Sequence, residues 1–165
     1  MTTAAAAVAL VEGLSVDWLG QAQRSRLRAH LRQMAGTDLA ARTRNRADVR
    51  RARGHRAAVG RITATIVVSG SDRTIGDLTA ASSDRVDGYV TDDQFADLVA
   101  RYRLDESIGS SANVILRVTG FDLGQVAEIA QSGDVLAALD LGASLDVRER
   151  SAGLAVLDER LEALR

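Results

Sequence analysis

The sequence predicts an α+β fold, in which a helical N-terminal third is followed by a small mixed or antiparallel sheet interleaved with helices and then by a closing amphipathic helix. Three observations predict this fold. Apolar residues recur at roughly helical spacing through residues 15–34, and short β-branched runs follow from residue 62 onward. Residues 146–164 carry leucines along one stripe, which is typical of a helix packed on a core.

Two helices are expected in the N-terminal third. The first follows Ser15, a suitable N-cap residue, and continues to about residue 34. The second is expected over residues 38–53 and ends before Gly54. Its only large apolar residues are Leu39 and Val49, which favours a position on the protein surface.

The remainder of the chain alternates strands with helices. Strands are expected over residues 62–68, 86–90 and 113–118, with a short turn near residues 75–80. Thr91 and Gln94 form a capping box that opens a helix reaching Tyr102. Further helices are expected over residues 123–130 and 133–141, and a second capping box at residues 146–149 opens the last one.

Composition and motifs exclude several classes of protein. The chain has no Cys, so disulfides and cysteine chemistry are excluded, and its two histidines lack the spacing of metal ligands. Phosphate-binding, nucleophile-elbow and zinc-protease motifs are absent, so we expect no enzyme, cofactor or metal. The N-terminal apolar run has no basic flank and is interrupted at Glu12, which favours a cytoplasmic protein without a membrane segment.

Charge is segregated along the chain, although the formal net charge is only −1. Residues 24–61 hold twelve arginines and two aspartates, a net charge of +10, whereas residues 62–165 carry a net charge of −9. The charge sign and the structural period both change near residues 54–60. We therefore expect a helical basic region over residues 1–60 and an α+β domain over residues 61–165.

The densest positive charge lies in residues 41–56, ARTRNRADVRRARGHR. On the expected helix, Arg42, Arg46, Arg50 and Arg53 share one face, and like charges at this spacing repel unless something neutralises them. Phosphates of DNA, an acidic partner protein or the acidic C-terminal part of the same chain could neutralise them. The candidate DNA-binding or partner-binding residues are Arg42, Arg44, Arg46, Arg50, Arg51, Arg53 and Arg56.

Short motifs in residues 62–164 occur in a recognisable order. Three strand motifs, VVSG at residues 67–70, GYV at residues 88–90 and NVILRV at residues 113–118, are followed by the segment LAALDLGASLDVRERSAGLAVL at residues 136–157. This order resembles the C-terminal domain of AbiEi-type antitoxins, the partners of nucleotidyltransferase toxins in bacterial toxin–antitoxin loci. The matching residues are Ser69, Gly70, Tyr89, Val90, Asn113, Val114, Asp140, Leu141, Asp146, Arg148 and Gly153.

The resemblance implies a non-catalytic antitoxin or transcription regulator with two partners, DNA and a nucleotidyltransferase-type toxin. The chain departs from the family at Val147, where the family has proline, and in residues 1–60, which lack the hairpin of a winged helix-turn-helix. A second hypothesis is a protein-interaction module without a nucleic-acid role. In that module the arginines would pair with acids of a partner or of the chain's own C-terminal part.

Overall fold

The computed structural model describes residues 3–70, 84–107 and 111–165, and these residues form an α+β fold, as predicted. The helices in the described part are α1 (Thr3–Val11), α2 (Gln21–Leu31), α3 (Gly36–Arg42), α4 (Arg56–Thr63), α5 (Asp92–Tyr102), α6 (Leu123–Ser132), α7 (Val135–Gly142) and α8 (Val147–Glu162). The strands are β1 (Asp48–Ala52), β2 (Val67–Val68), β3 (Val86–Val90) and β4 (Val114–Val118).

The four strands form one mixed sheet in the order β1-β4-β3-β2. The central strands β3 and β4 are parallel and are joined through helix α5, as a parallel pair requires a long crossover. Strand β1 pairs with β4 in the antiparallel direction, with Asp48 opposite Val118 and Ala52 opposite Val114. Strand β2 pairs with β3 on the other side, so β1 and β2 are the edge strands.

The sheet separates two hydrophobic clusters, because alternate residues of a strand point to opposite faces. Leu116 and Val90 belong to the cluster with residues of α4 and α5, such as Ile62 and Leu98. Tyr89, the next residue along β3, belongs to the other cluster, with residues of α1, α6, α7 and α8. Helix α1 is apolar all round and is buried from Ala5 to Val11, which is typical of a helix in a core.

Several predicted elements are confirmed at the residues that predicted them. Strands β3 and β4 lie within the expected strands, and α6 and α7 lie close to the expected helices. The Thr91 capping box is formed, since the Gln94 amide donates to Thr91 Oγ1 at 3.2 Å and the Thr91 amide donates to Gln94 Oε1 at 3.1 Å. Asp146 caps α8 by accepting from the amides of Arg148 and Glu149, but the expected capping box is not closed, because the Asp146 amide donates to Ser144 Oγ instead of to Glu149.

The predicted helix over residues 38–53 is wrong. Helix α3 ends at Arg42, a single 3₁₀ turn covers residues 44–46, and strand β1 begins at Asp48. A helix would have stacked like charges four residues apart, whereas the strand sends Arg50 and Arg51 to opposite faces. Residues 1–60 are therefore not all helical. Strand β1 lies before the expected domain boundary, but it pairs with β4, which lies after that boundary.

Two other expectations need correction. The β-branched run at residues 62–68 forms a strand only at Val67–Val68, because Ile62 belongs to α4 and buries its side chain there with Val59. The helix expected from residue 15 begins only at Gln21, and helix α1 precedes it. The turn expected near residues 75–80 lies outside the described residues.

Helices α7 and α8 meet at their backbones, and Gly153 permits this contact. A Cβ atom at Gly153 would lie 2.5 Å from both the Ala138 carbonyl oxygen and the Gly142 amide nitrogen. No side-chain atom fits at such distances, so a larger residue would force the two helices apart. Gly60, in helix α4, would meet nothing within 4 Å.

We expect Gly153→Ala to lower the free energy of unfolding by about 1–3 kcal/mol, because it overpacks the α7–α8 crossing. The matched control is Gly60→Ala, which should raise stability by about 0.5–1 kcal/mol through helix propensity. Urea denaturation of both variants measures the difference. Equal stability of the two variants would contradict the close crossing.

Candidate functional site

Six of the seven candidate arginines are exposed, and Arg46 is buried. The exposed ones lie on edge strand β1 and on the segments at its two ends, where α3 ends and α4 begins. Arg50 points to the α5 face of the sheet, where its guanidinium carbon lies 5.8 Å from the centre of the Phe95 ring. We call the remaining exposed arginines the basic edge: Arg42, Arg44, Arg51, Arg53 and Arg56.

The described acidic residues of the C-terminal part do not neutralise most of the basic edge. Arg56 lies 3.9 Å from Asp84, a long contact between two exposed groups. Within residues 3–70, 84–107 and 111–165, the other four members of the basic edge form no ion pair. The predicted self-neutralisation therefore applies fully to Arg46 and weakly to Arg56.

Arg46 is held by a buried carboxylate rather than by an external partner. Its Nη2 atom donates to Asp140 Oδ1 at 2.5 Å, across 94 positions of sequence. Its Nε atom donates to the hydroxyl of Tyr89 at 3.1 Å, and that hydroxyl donates to the same Asp140 oxygen at 2.6 Å. Arg46 is therefore buried, although the sequence predicted it on an exposed arginine face.

The second oxygen of Asp140 is also fully used. Oδ2 accepts from the Ser69 hydroxyl at 2.5 Å and lies 3.0 Å from Arg117 Nε. Arg117 also donates from Nε and Nη2 to the two carboxylate oxygens of Asp87, each at 2.9 Å. Asp140 thus joins helix α7 to the turn before β1, to both central strands and to the end of β2.

This buried cluster consists of Arg46, Arg117, Asp87, Asp140, Tyr89 and Ser69. Its two guanidinium groups balance its two carboxylates, and the Asp140 side chain is 0 % exposed. In the described residues, every buried side-chain nitrogen or oxygen has a hydrogen-bond partner. A closed and neutral arrangement of this kind stabilises one packing of the elements that it joins.

The electrostatics of the cluster keep Tyr89 and Arg117 in the protonated forms that donate to the carboxylates. Burial raises the pKa of the Tyr89 hydroxyl well above its ordinary value, and the Asp140 carboxylate raises it further. Tyr89 therefore stays a proton donor to Asp140. Burial alone would lower the pKa of Arg117, but the carboxylates of Asp140 and Asp87 raise it above its ordinary value.

The cluster was not predicted as a unit, although its members carried signals. Asp140 is the only charged residue in the apolar segment VLAALDLG, and an acid buried on such a helix needs a cationic partner. Arg117 interrupts the apolar strand β4 in the same way. Ser69, Tyr89 and Asp140 also belong to the motifs that carry the antitoxin resemblance.

The two histidines have local environments that differ. His55 is the N-cap of α4, where its Nδ1 atom accepts from the Ala57 amide at 3.2 Å, and His30 is exposed on α2. In the part of the chain that the structure describes, no three His, Asp or Glu side chains are grouped closely enough to hold a metal ion. None of the described helices is both long and apolar enough to cross a membrane.

Comparisons of this chain with models of protein families, with curated proteins and with solved structures gave no match. The resemblance to AbiEi-type antitoxins stays a prediction from the sequence motifs. The fold and the arrangement of the arginines are therefore the observations from which a function can be argued.

We expect Asp140→Asn to lower the free energy of unfolding by about 3–5 kcal/mol, because two buried guanidinium groups would share one remaining carboxylate. Ser69→Ala removes only one donor to Asp140 and should cost about 1–2 kcal/mol. Asp97→Asn, at an exposed carboxylate 3.9 Å from Arg101, is the control and should change stability little. Chemical denaturation measures the free energy of unfolding of each of the three variants and ranks them. Similar losses for Ser69→Ala and Asp97→Asn would contradict the role of the cluster.

Proposed function

We propose that this protein is a cytoplasmic, non-catalytic antitoxin-like or transcription-regulator-like protein that binds DNA through its basic edge. The observation that carries this proposal is the set of exposed arginines without an ion-pair partner among the described residues: Arg42, Arg44, Arg51 and Arg53. Uncompensated positive charge on one edge of a protein attracts a polyanion.

The form of the basic edge suits contact with the DNA backbone. A strand of five residues is about 17 Å long, and duplex DNA places phosphates along each strand at intervals of about 3.4 Å of helix axis. Arginines on β1 and at both of its ends could therefore reach several phosphates. The guanidinium fork binds phosphate oxygens in pairs and carries no base preference in such contacts.

We expect the protein to bind duplex DNA at 50 mM salt and much more weakly at 200 mM salt, because phosphate binding releases counterions. Replacing Arg42, Arg44 and Arg51 together by Gln should weaken binding at least tenfold. It should also lower the salt slope by about one for each arginine that no longer binds a phosphate. Fluorescence anisotropy with a labelled duplex measures both quantities.

The matched control is Arg148→Gln, an exposed arginine on α8. It should leave DNA affinity nearly unchanged. Arg46 is unsuitable for this test, because its replacement would disrupt the buried cluster. Absence of binding at 50 mM salt, or equal affinity of the triple variant and the control, would rule out the basic edge as a DNA-binding surface.

A protein partner is the second candidate function, and an exposed apolar pair favours it. Leu145 is 84 % exposed and Val147 is 64 % exposed, at the start of α8. The two residues flank the N-cap Asp146, which is one of the motif residues in the resemblance to antitoxins. We propose this pair as a contact for a nucleotidyltransferase-type toxin, with which the protein would form a complex.

We expect this protein to co-elute with a nucleotidyltransferase encoded beside its gene. Leu145→Ser combined with Val147→Ser should weaken the complex at least tenfold, because the change removes apolar surface from the contact. Val68→Ser, at a 44 % exposed valine on β2, is the control. Size-exclusion chromatography of each mixture gives the result, and co-elution that is unchanged by the double substitution would exclude the apolar pair.

A further inference from the structure

A cleft of about 430 Å³ opens where strand β1 leads into helix α4. Its lining combines cationic side chains with hydrogen-bonding ones: Arg53, Gly54, His55, Arg56, Asp84, Ser111 and Asn113. It lies at the C-terminal end of the basic edge and contains two of its five arginines. No aromatic side chain is among the described lining residues, so these residues offer no stacking platform for a base.

The back of the cleft is fixed by side-chain and main-chain hydrogen bonds. Asn113 Oδ1 accepts from the Gly54 amide at 2.9 Å, and Asn113 Nδ2 donates to the Gly54 carbonyl at 3.1 Å. The Arg53 amide and carbonyl bond in turn to the main chain of Asp105. Both residues that precede His55 are therefore anchored, so that Arg53 projects from a held position.

The capping hydrogen bond of helix α4 determines which ring nitrogen of His55 carries the proton. Its Nδ1 atom accepts from the Ala57 amide, so in the neutral ring the proton is on Nε2. Nε2 is then a donor on an exposed ring at the cleft. The only acid among the described lining residues is Asp84, whose carboxylate lies 3.9 Å from Arg56 Nε, too far for a hydrogen bond.

We infer that this cleft binds a phosphate group of a nucleotide or polynucleotide, with Arg53 and Arg56 as charged donors and His55 Nε2 as a third donor. The inference rests on the proposed function, since it assigns one phosphate subsite of the basic edge. The volume exceeds that of a lone phosphate and leaves room for the attached sugar. The cleft therefore contacts the phosphate and sugar and does not discriminate between bases.

The two histidines of the chain make the test direct, because His30 is not among the lining residues and acts as an internal reference. Imidazole signals of the full-length protein are recorded by NMR at constant pH during titration with inorganic phosphate, with AMP and with a duplex DNA. A His30→Gln variant assigns the two signals. We expect a saturable shift of the His55 signal while the His30 signal stays in place.

Arg53→Gln combined with Arg56→Gln should abolish the His55 shift, and Arg148→Gln should preserve it. Saturation by DNA at concentrations at least tenfold below those of AMP would identify the polynucleotide as the source of the phosphate, and the reverse would identify a free nucleotide. Equal shifts of both histidines, or a His55 shift that survives the double substitution, would overturn the inference.

The same titration separates the cleft from the proposed function. If duplex DNA binds in the anisotropy assay without moving the His55 signal, the cleft is not a phosphate subsite, although DNA binding stands. If AMP moves the His55 signal and no duplex binds, the phosphate subsite stands and the DNA-binding function fails.

Discussion

The buried carboxylate of Asp140 is the group on which the arrangement of the molecule depends. It accepts from Arg46, Tyr89 and Ser69 and lies 3.0 Å from Arg117, so its donors come from four separate segments of the chain. Removing a charge from water costs several kcal/mol, and attraction offsets this cost only when nearly every lone pair is used. The arrangement that satisfies Asp140 is consequently one that fixes α7 against the sheet.

This constraint also determines where the basic edge lies. Arg46 precedes β1 by two residues, and its carbonyl oxygen accepts from the Thr119 hydroxyl at 2.8 Å, at the end of β4. Both ends of Arg46, its side chain and its carbonyl, are thus fixed before the strand begins. These buried contacts therefore fix the positions of the exposed arginines that follow in the chain. A substitution at Asp140 would therefore alter the positions of these surface arginines as well as the packing of the core.

Elements that depend on interactions between residues close in sequence were predicted correctly. Thr91 and Gln94 are three residues apart, and their capping box opens α5 as expected, while the β-branched run of β4 needs only its own side chains to favour a strand. Strand β1 could not be predicted in this way, because Arg46 finds its partner 94 positions away and β1 pairs with a strand far along the chain. The periodicity of the arginines indicated a helix, and long-range pairing overrode it.

The motif residues behind the antitoxin resemblance have roles in packing. Ser69 and Tyr89 donate to Asp140, Asp146 caps α8, and Gly153 permits the close crossing of α7 and α8. Residues of this kind specify how helices and strands fit together. These packing roles concern the architecture of this chain, and the resemblance to antitoxins stays a prediction. Exposed groups that the fold does not need are the candidates for binding, and the arginines of the basic edge without an ion-pair partner among the described residues are such groups.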